Sequence, residues 1–305
     1  MSINFFGIGA QKSGTTWLFY QLNQISEFEL PPVKELHYFD RSADYPSPNK
    51  LNETYFYKRA LNLRYLSRAV LETLYYAFHF QWGKVKFFLK WYFSNYSDEW
   101  FLSLFKNYSQ LTGEVTPSYA ILNEDDIRRM YNIAPQAKLI LMLRNPIDRA
   151  WSHYRHNIRH IKDFSLKDVD TQNIIKFLKT DEQLLRSDYT RTINNYKKVF
   201  PKHQILIGFY DAIKDNPNKL LNDIVSFIAE DTQININIST LDNKINKSRE
   251  IDCPKEITSY LKDYYHDEIK FWAEEYGGYF EKWYLDSYST ESSNKEINLM
   301  PTIQL

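Results

Sequence analysis

A few charged side chains carry whatever chemistry this 305-residue chain performs: Lys12 in a small-residue loop, Glu35 and His37 in one short segment, and Arg144 after an apolar run. Lys12 lies within Phe5-Phe6-Gly7-Ile8-Gly9-Ala10-Gln11-Lys12-Ser13-Gly14-Thr15-Thr16-Trp17-Leu18. The apolar run from Ile3 to Ile8 predicts a buried strand and the glycines after it a tight turn. Leu18, Leu22 and Ile25 predict an amphipathic helix that opens at Thr15. Such a strand, loop and helix start form an anion site, because first-turn N–H groups lack partners within the helix and the helix dipole turns its positive end into the loop. The spacing Gly9-x-x-x-x-Gly14-Thr15-Thr16 is that of a nucleotide phosphate loop, with Thr15 where the lysine should stand. A kinase or NTPase needs that lysine for the β- and γ-phosphates and an acid for magnesium. Lys12 can instead lie against one phosphate and the atom bridging it to a transferred group.

Arg144 poses the same question at a second place. Lys138-Leu139-Ile140-Leu141-Met142-Leu143 has buried-strand character, Pro146 suits the first turn of a helix, and Ser152 follows about two turns later. A magnesium-holding strand ends in Asp, as Ile205 to Asp211 does, but this one ends in arginine. At the carboxyl end of a parallel strand, the arginine fork of donors matches a phosphate. In Leu30-Pro31-Pro32-Val33-Lys34-Glu35-Leu36-His37-Tyr38-Phe39-Asp40 the prolines exclude a helix. Leu36, Tyr38 and Phe39 can anchor this segment while Lys34, Glu35 and His37 face a cleft.

Together these residues resemble the sulfotransferase family that uses 3′-phosphoadenosine 5′-phosphosulfate (PAPS), in its heparan-sulfate-type and bacterial carbohydrate branches. Lys12-Ser13-Gly14-Thr15-Thr16 is similar to that family's 5′-phosphosulfate loop, K-x-G-T-[TR]. Residues 34–40 are similar to its K-E-[IVLP]-H-[FY]-F-D element, and Arg144 to Ser152 to its 3′-phosphate motif, R-[ND]-P-x-x-R-x-x-S. The resemblance covers roughly 3–40 and 112–280. It implies an α/β fold, a parallel sheet flanked by helices in the P-loop NTPase-like sulfotransferase manner. It also implies transfer of a sulfuryl group from PAPS to an acceptor hydroxyl or amine on a carbohydrate or glycolipid, leaving adenosine 3′,5′-bisphosphate and needing no metal. By the same resemblance Glu35 is the base that takes the acceptor proton, with His37 as its partner or substitute. Partial burial by Tyr38 and Phe39 is expected to raise the Glu35 pKa toward working pH. Lys12 would neutralise charge on the leaving phosphate, an effect concentrated in the transition state. Ser13, Gly14, Thr15, Thr16 and Trp17 would hold the 5′-phosphate, Arg144 and Ser152 the 3′-phosphate, while Lys247 and Arg249 would close a cationic loop over the nucleotide. In Gly113-Glu114-Val115-Thr116-Pro117-Ser118-Tyr119, Val115 stands where heparan-sulfate members tend to carry Lys, which speaks against a heparan-type acceptor; Glu114 and Tyr119 could line the cleft but read more readily as a structural turn.

Composition bounds the remaining choices. With 43% hydrophobic residues and no Gly/Ser/Pro-rich linker, residues 1–286 read as one domain and the polar stretch 287–305 as a loose tail. Balanced charge, 38 basic against 38 acidic residues, gives no global attraction to nucleic acid. Cys253 is the only cysteine, so no internal disulfide forms. No stretch reaches 18 uncharged apolar residues and no signal peptide is seen, which leads to the expectation of a cytoplasmic enzyme. The insertion 51–110 is the unusual part: between Phe56 and Tyr96, seven basic residues face one acid and fourteen aromatics are interleaved. It reads as two helices broken near Gly83, with Leu63, Leu66, Val70 and Leu74 at helical spacing. It could pack on the core, form a lid for an anionic glycan, or lie at an anionic membrane surface as a peripheral contact. Two other functions stay open on these residues: a magnesium-dependent nucleotide or small-molecule kinase, and a non-catalytic binder of polyanions or membranes.

Overall fold

The structure, a computed structural model, describes residues 3–46, 53–105, 110–158, 170–230, 234, 251–289 and 297–305. In chain order the elements are β1 (Phe5–Gly9), α1 (Thr15–Leu22), α2 (Phe56–Ala60), α3 (Leu63–Phe78), α4 (Trp82–Phe93), α5 (Asp98–Ser103), β2 (Gly113–Val115), α6 (Glu124–Ile133), β3 (Lys138–Leu143) and α7 (Pro146–Ile158). They continue with α8 (Thr171–Leu178), α9 (Asp181–Leu185), α10 (Tyr189–Lys197), β4 (Ile205–Phe209), α11 (Ala212–Asp215), α12 (Pro217–Ala229), α13 (Lys255–Tyr276), α14 (Gly278–Tyr288) and β5 (Thr302–Gln304). Among the described residues the strands form one sheet in the order β2-β1-β3-β4-β5. The first four run parallel and β5 is antiparallel to β4. Every residue of β1, β3 and β4 is buried, as unbroken apolar runs require when both faces of a sheet are covered.

Strand order decides where ligands can go. After β1 the chain lays β2 on one side and then returns to lay β3 on the other. The two connections leave a crevice at the carboxyl ends beside β1, where open α/β sheets bind their ligands. The loop after β1 is locked to β3 by Ala10 N–H donating to the Met142 carbonyl at 2.6 Å. Thr116 N–H, just past β2, donates to the Gly7 carbonyl at 2.9 Å. Strand register thus carries three carboxyl ends to one edge of the core.

Several expectations change in detail. The break between the inserted helices falls at His79–Gln81, where Phe80 takes φ 56°; Gly83 sits inside α4. Helix α10 begins at Tyr189 because Asp188 caps it by accepting from Arg191 N–H at 2.8 Å. The loose tail expected for 287–305 is corrected at both ends of the described part. Tyr288 closes α14, and Thr302–Gln304 pairs with β4, with Leu305 N–H donating to the Ile205 carbonyl at 3.1 Å. A polar composition masked a segment whose use is to satisfy the exposed edge of β4. No helix among the described residues is long and apolar enough to cross a membrane.

Candidate active site

The first part of the site is the loop after β1. Gly14 caps α1 with φ 90°, a backbone setting that favours glycine, and a Cβ there would lie 2.5 Å from Ile213 Cδ1. Gly14 brings no side chain to its own cap, so the first-turn N–H groups remain directed at the loop. Ser13 and Thr15 are buried, Thr16 is half-buried, and the Trp17 ring enters the core, which leaves its backbone as its contribution to the loop. Lys12 adopts φ 71°, and its Nζ lies 3.1 Å from His156 Nδ1. His156 belongs to α7, the helix that begins two residues beyond Arg144.

The second part follows β3. Arg144 is mostly buried, its guanidinium stands 4.5 Å from the centre of the Tyr210 ring, and its carbonyl accepts from Tyr189 Oη–H at 2.8 Å. Tyr210 is also the ring that a Cβ on Gly14 would strike, at 3.2 Å, so one aromatic side chain separates the two cationic places. Arg144 Nε is buried without a hydrogen-bond partner among the described residues. Asp148 stays 4.0 Å away, which leaves the guanidinium fork available to an anion. Ser152 is buried on α7, about two turns on. Arg149, the second arginine of that motif, is fully buried and donates to Ser187 Oγ at 2.8 Å and to the Gln183 side chain; it braces α7 and does not face the crevice.

The third part hangs from β2. Glu114, fully buried, accepts from Leu36 N–H at 3.2 Å, Thr116 Oγ1–H at 2.8 Å and Tyr119 Oη–H at 2.7 Å. Tyr119 Oη in turn accepts from Tyr38 N–H at 3.0 Å. These bonds hold the backbone on both sides of His37. Glu35 and His37 both sit in the left-handed region, at φ 64° and 54°, a setting that costs non-glycine residues about 1–3 kcal/mol each and persists only where surroundings enforce it. Of the five non-glycine residues with positive φ among those described, three are therefore Lys12, Glu35 and His37.

Electrostatics overturns one expectation. Burial pushes the Glu35 carboxyl up, but the His37 hydrogen bond and the Lys34 charge outweigh it and hold the group down at about 2. Burial likewise pulls His37 down, yet Asp40, whose Oδ2 is 2.7 Å from Nδ1, and Glu35 raise it to about 9. At neutral pH the pair is therefore carboxylate and imidazolium. The raised carboxyl in this neighbourhood is Glu114, which burial lifts to about 7. Burial and the charges of Arg149, Arg186 and Lys12 push His153 on α7 down to about 3. Arg186 lies within electrostatic reach of Asp40 and Glu35 as well, which links the Lys12 side of the crevice to the Glu35 side.

The structure thus brings Lys12, Arg144, Ser152, Glu35 and His37 to one end of the sheet. Lys247 and Arg249 lie outside the described residues. Sequence reading passed over Asp40, Arg155 and His156, whereas the structural turn read for Glu114 is the role its hydrogen bonds give it. Asp40 stands three residues from His37, and Arg155 and His156 stand three and four residues after Ser152, spacings that a helix or tight turn brings together. Arg155 is depressed by burial and then by the neighbouring Arg144 charge, so it adds to the same cationic patch. Among the described residues no group of His, Cys, Asp and Glu could hold a metal ion.

A sequence profile described as the sulfotransferase domain matches residues 3–298. The chain is similar to the membrane-associated sulfotransferase kil1 of Dictyostelium discoideum, 38% identical over 80 residues that cover 24% of this chain and 17% of that protein. It is also similar to the bifunctional heparan sulfate N-deacetylase/N-sulfotransferase 1 of Xenopus laevis, 25% identical over 231 residues that cover 73% of this chain and 21% of that one. The chain spans about a fifth of the length of these relatives. Among solved structures, a sulfotransferase from Alicyclobacillus acidocaldarius shares the fold at TM-score 0.58 and 19% identity, over 90% of this chain and 95% of that chain.

Proposed function

This chain belongs to the sulfotransferase family, and on that footing we propose that its 1–286 region works as one domain that moves a sulfuryl group from PAPS to a hydroxyl or amine of a carbohydrate or glycolipid. The observation that carries this reading is the convergence of Lys12, Arg144 and Glu35 beyond the carboxyl ends of three neighbouring parallel strands. The donor supplies the sulfuryl group and a nucleotide with two separated phosphates. The residues fit such a molecule: the loop N–H groups from Ser13 to Trp17 suit the 5′-phosphate. Arg144, with its buried unpartnered Nε, and Ser152 suit the 3′-phosphate, with Arg155 beside them.

Lys12 meets the charge that grows on the phosphate oxygen as its bond to sulfur breaks, and His156 orients the ammonium group. Glu35 accepts the acceptor proton. A carboxyl held at about 2 is a weak base, but it is always ionised, and the acceptor oxygen turns strongly acidic once its bond to sulfur forms. Proton transfer late in the reaction therefore needs an ionised group in the right place more than a strongly basic one. The charged His37, anchored on Asp40, sets the direction of the Glu35 carboxylate, and Glu114 holds the turn that carries both.

Calorimetry separates this reading from a kinase. Adenosine 3′,5′-bisphosphate is expected to bind in the presence of a chelator, with ATP far weaker. Magnesium-dependent ATP binding together with silence toward the bisphosphate would return the chain to the kinase reading.

A further inference from the structure

Helix α3 of the inserted hairpin turns an apolar face outward, while α4 buries Val85, Phe87, Phe88 and Tyr92. On α3 the residues Leu63, Leu71, Leu74 and Phe78 recur along one face and are 79%, 67%, 59% and 81% exposed. The face turned toward α4 is the more polar one. There Tyr65 Oη–H donates to the Tyr92 carbonyl at 2.7 Å, Tyr92 Oη–H donates to Glu72, and Ala69 is the buried residue of the helix. Phe80 and Trp82 at the hairpin tip extend the exposed stripe, at 78% and 59%. An ordinary surface helix does the opposite, and a helix of 16 residues presents this face for about 24 Å. Contiguous exposed apolar surface of that kind marks a docking face.

Charge selects the occupant. Arg64 and Arg68 flank the stripe on α3, and exposed Lys84 and Lys86 follow the tip on α4. The single acid of the hairpin, Glu72, is engaged by Tyr92 and lies 3.7 Å from Arg68. A second copy docking through the same face would set these cations against each other, because a twofold interface pairs a patch with itself. A soluble polyanion would meet the cations but bury none of the leucine and phenylalanine surface. An anionic bilayer satisfies both, with the stripe at the acyl boundary and the cations among the headgroups. The hairpin is also fixed firmly to the domain. Arg59 is buried against the Tyr96 ring at 3.7 Å, donates to the Glu53 and Thr54 carbonyls at 2.9 and 2.7 Å, and Tyr96 packs on Trp100, which touches Tyr38 beside the active-site turn.

We propose that the α3–α4 hairpin is a membrane-docking element that lies in the plane of an anionic lipid surface through Leu71, Leu74, Phe78, Phe80 and Trp82. This inference stands on the hairpin alone and does not depend on the chemistry assigned to the crevice. Its test is sedimentation of the whole chain with phosphatidylcholine vesicles, with and without phosphatidylserine. The chain is expected to pellet with the anionic vesicles and to be released by salt, since surface attraction to lipid is screened within about 10 Å. Leu71→Asp combined with Leu74→Asp and Phe78→Asp is expected to weaken vesicle binding at least tenfold while calorimetric binding of adenosine 3′,5′-bisphosphate stays as in the parent. Arg64→Glu with Lys84→Glu keeps the stripe and should remove the preference for phosphatidylserine. A parent chain that stays in the supernatant with anionic vesicles at low salt overturns the proposal. So does a concentration-dependent dimer, or heparin binding, that these substitutions abolish in the absence of any vesicle binding.

Discussion

Two regions of this molecule carry clusters of basic residues, and they hold them in opposite ways. In the crevice beyond β1 and β3, each site cation has a position set by a neighbour: Lys12 by His156, Arg144 by Tyr210, His37 by Asp40. On the α3–α4 hairpin, Arg64, Arg68, Lys84 and Lys86 stand exposed around an apolar face. Fixed cations in a mostly buried crevice suit a ligand of one shape, since interactions there are strong and cost little reorganisation at the moment of reaction. Exposed cations around leucines suit a surface without fixed shape, even where Glu72 lies 3.7 Å from Arg68 and the Tyr76 ring lies under Lys84. The difference teaches that charge counts alone do not separate catalysis from attachment, whereas burial does.

If that division is right, changes in the two regions should separate cleanly. The largest effect is expected from Lys12→Ala, which should lower the rate of adenosine 3′,5′-bisphosphate release from the donor about a thousandfold, close to 4 kcal/mol in the barrier, while nucleotide binding weakens only modestly. Unchanged turnover would remove Lys12 from the chemistry. Glu35→Gln should cost about a hundredfold in kcat with KM for the donor unchanged; a loss confined to KM would make Glu35 a binding group. Arg144→Ala is expected to weaken calorimetric binding of adenosine 3′,5′-bisphosphate about thirtyfold, as for a lost charged hydrogen-bonding partner. Binding of adenosine 5′-monophosphate should hardly change, and equal losses for both ligands would contradict a 3′-phosphate role. Smaller still, Glu114→Gln should lower kcat about tenfold through the Leu36 and Tyr119 hydrogen bonds while leaving nucleotide affinity alone. The hairpin substitutions should change none of these rates in solution.

The pH dependence sharpens the same contrast. His37 binds its proton more tightly folded than unfolded, so its pairing with Asp40 and Glu35 stabilises the fold fully below about 6.5 and fades as pH rises through about 9. Glu35, held down, contributes above about 4.5, and that contribution is lost as pH falls through about 2. Glu114 is raised, so it favours the fold most at acid pH and its contribution is lost as pH climbs from about 4.5 through about 7. Thermal melts of the parent and His37→Gln across this range should diverge most below pH 9 and converge above it. Parallel curves would mean that the imidazolium pairing is absent.

Much of the crevice was legible in the residues. Gly9 to Trp17 encodes a strand, a turn and a helix start within one short stretch, and Lys138 to Ser152 does the same for the second site. Local hydrophobic periodicity and helix signals suffice for such units. The Glu35 charge state was not legible, because Tyr38 and Phe39 supply the burial that was foreseen, while the decisive His37 geometry depends on Asp40 and on Glu114. The hairpin's three readings stayed open on the sequence for a related reason. Periodicity located the apolar face of α3 but carries no information on which side of that helix the protein lies.

By itself the sequence determined the two strand, turn and helix units, the segment that carries Glu35 and His37, and the existence of an amphipathic basic insertion, since each arises from contacts within a few turns of chain. Only the tertiary structure decided that the segments carrying Glu35, Lys12 and Arg144 come to one end of the sheet. Their meeting requires β2, β1 and β3 to lie side by side, and a hydrogen bond between residues 78 positions apart to hold the turn. It also decided that the apolar stripe of α3 faces outward and that Glu35 is ionised. Solvent exposure and the sign of a pKa shift are properties of what surrounds a group in space, and those surroundings come from distant parts of the chain.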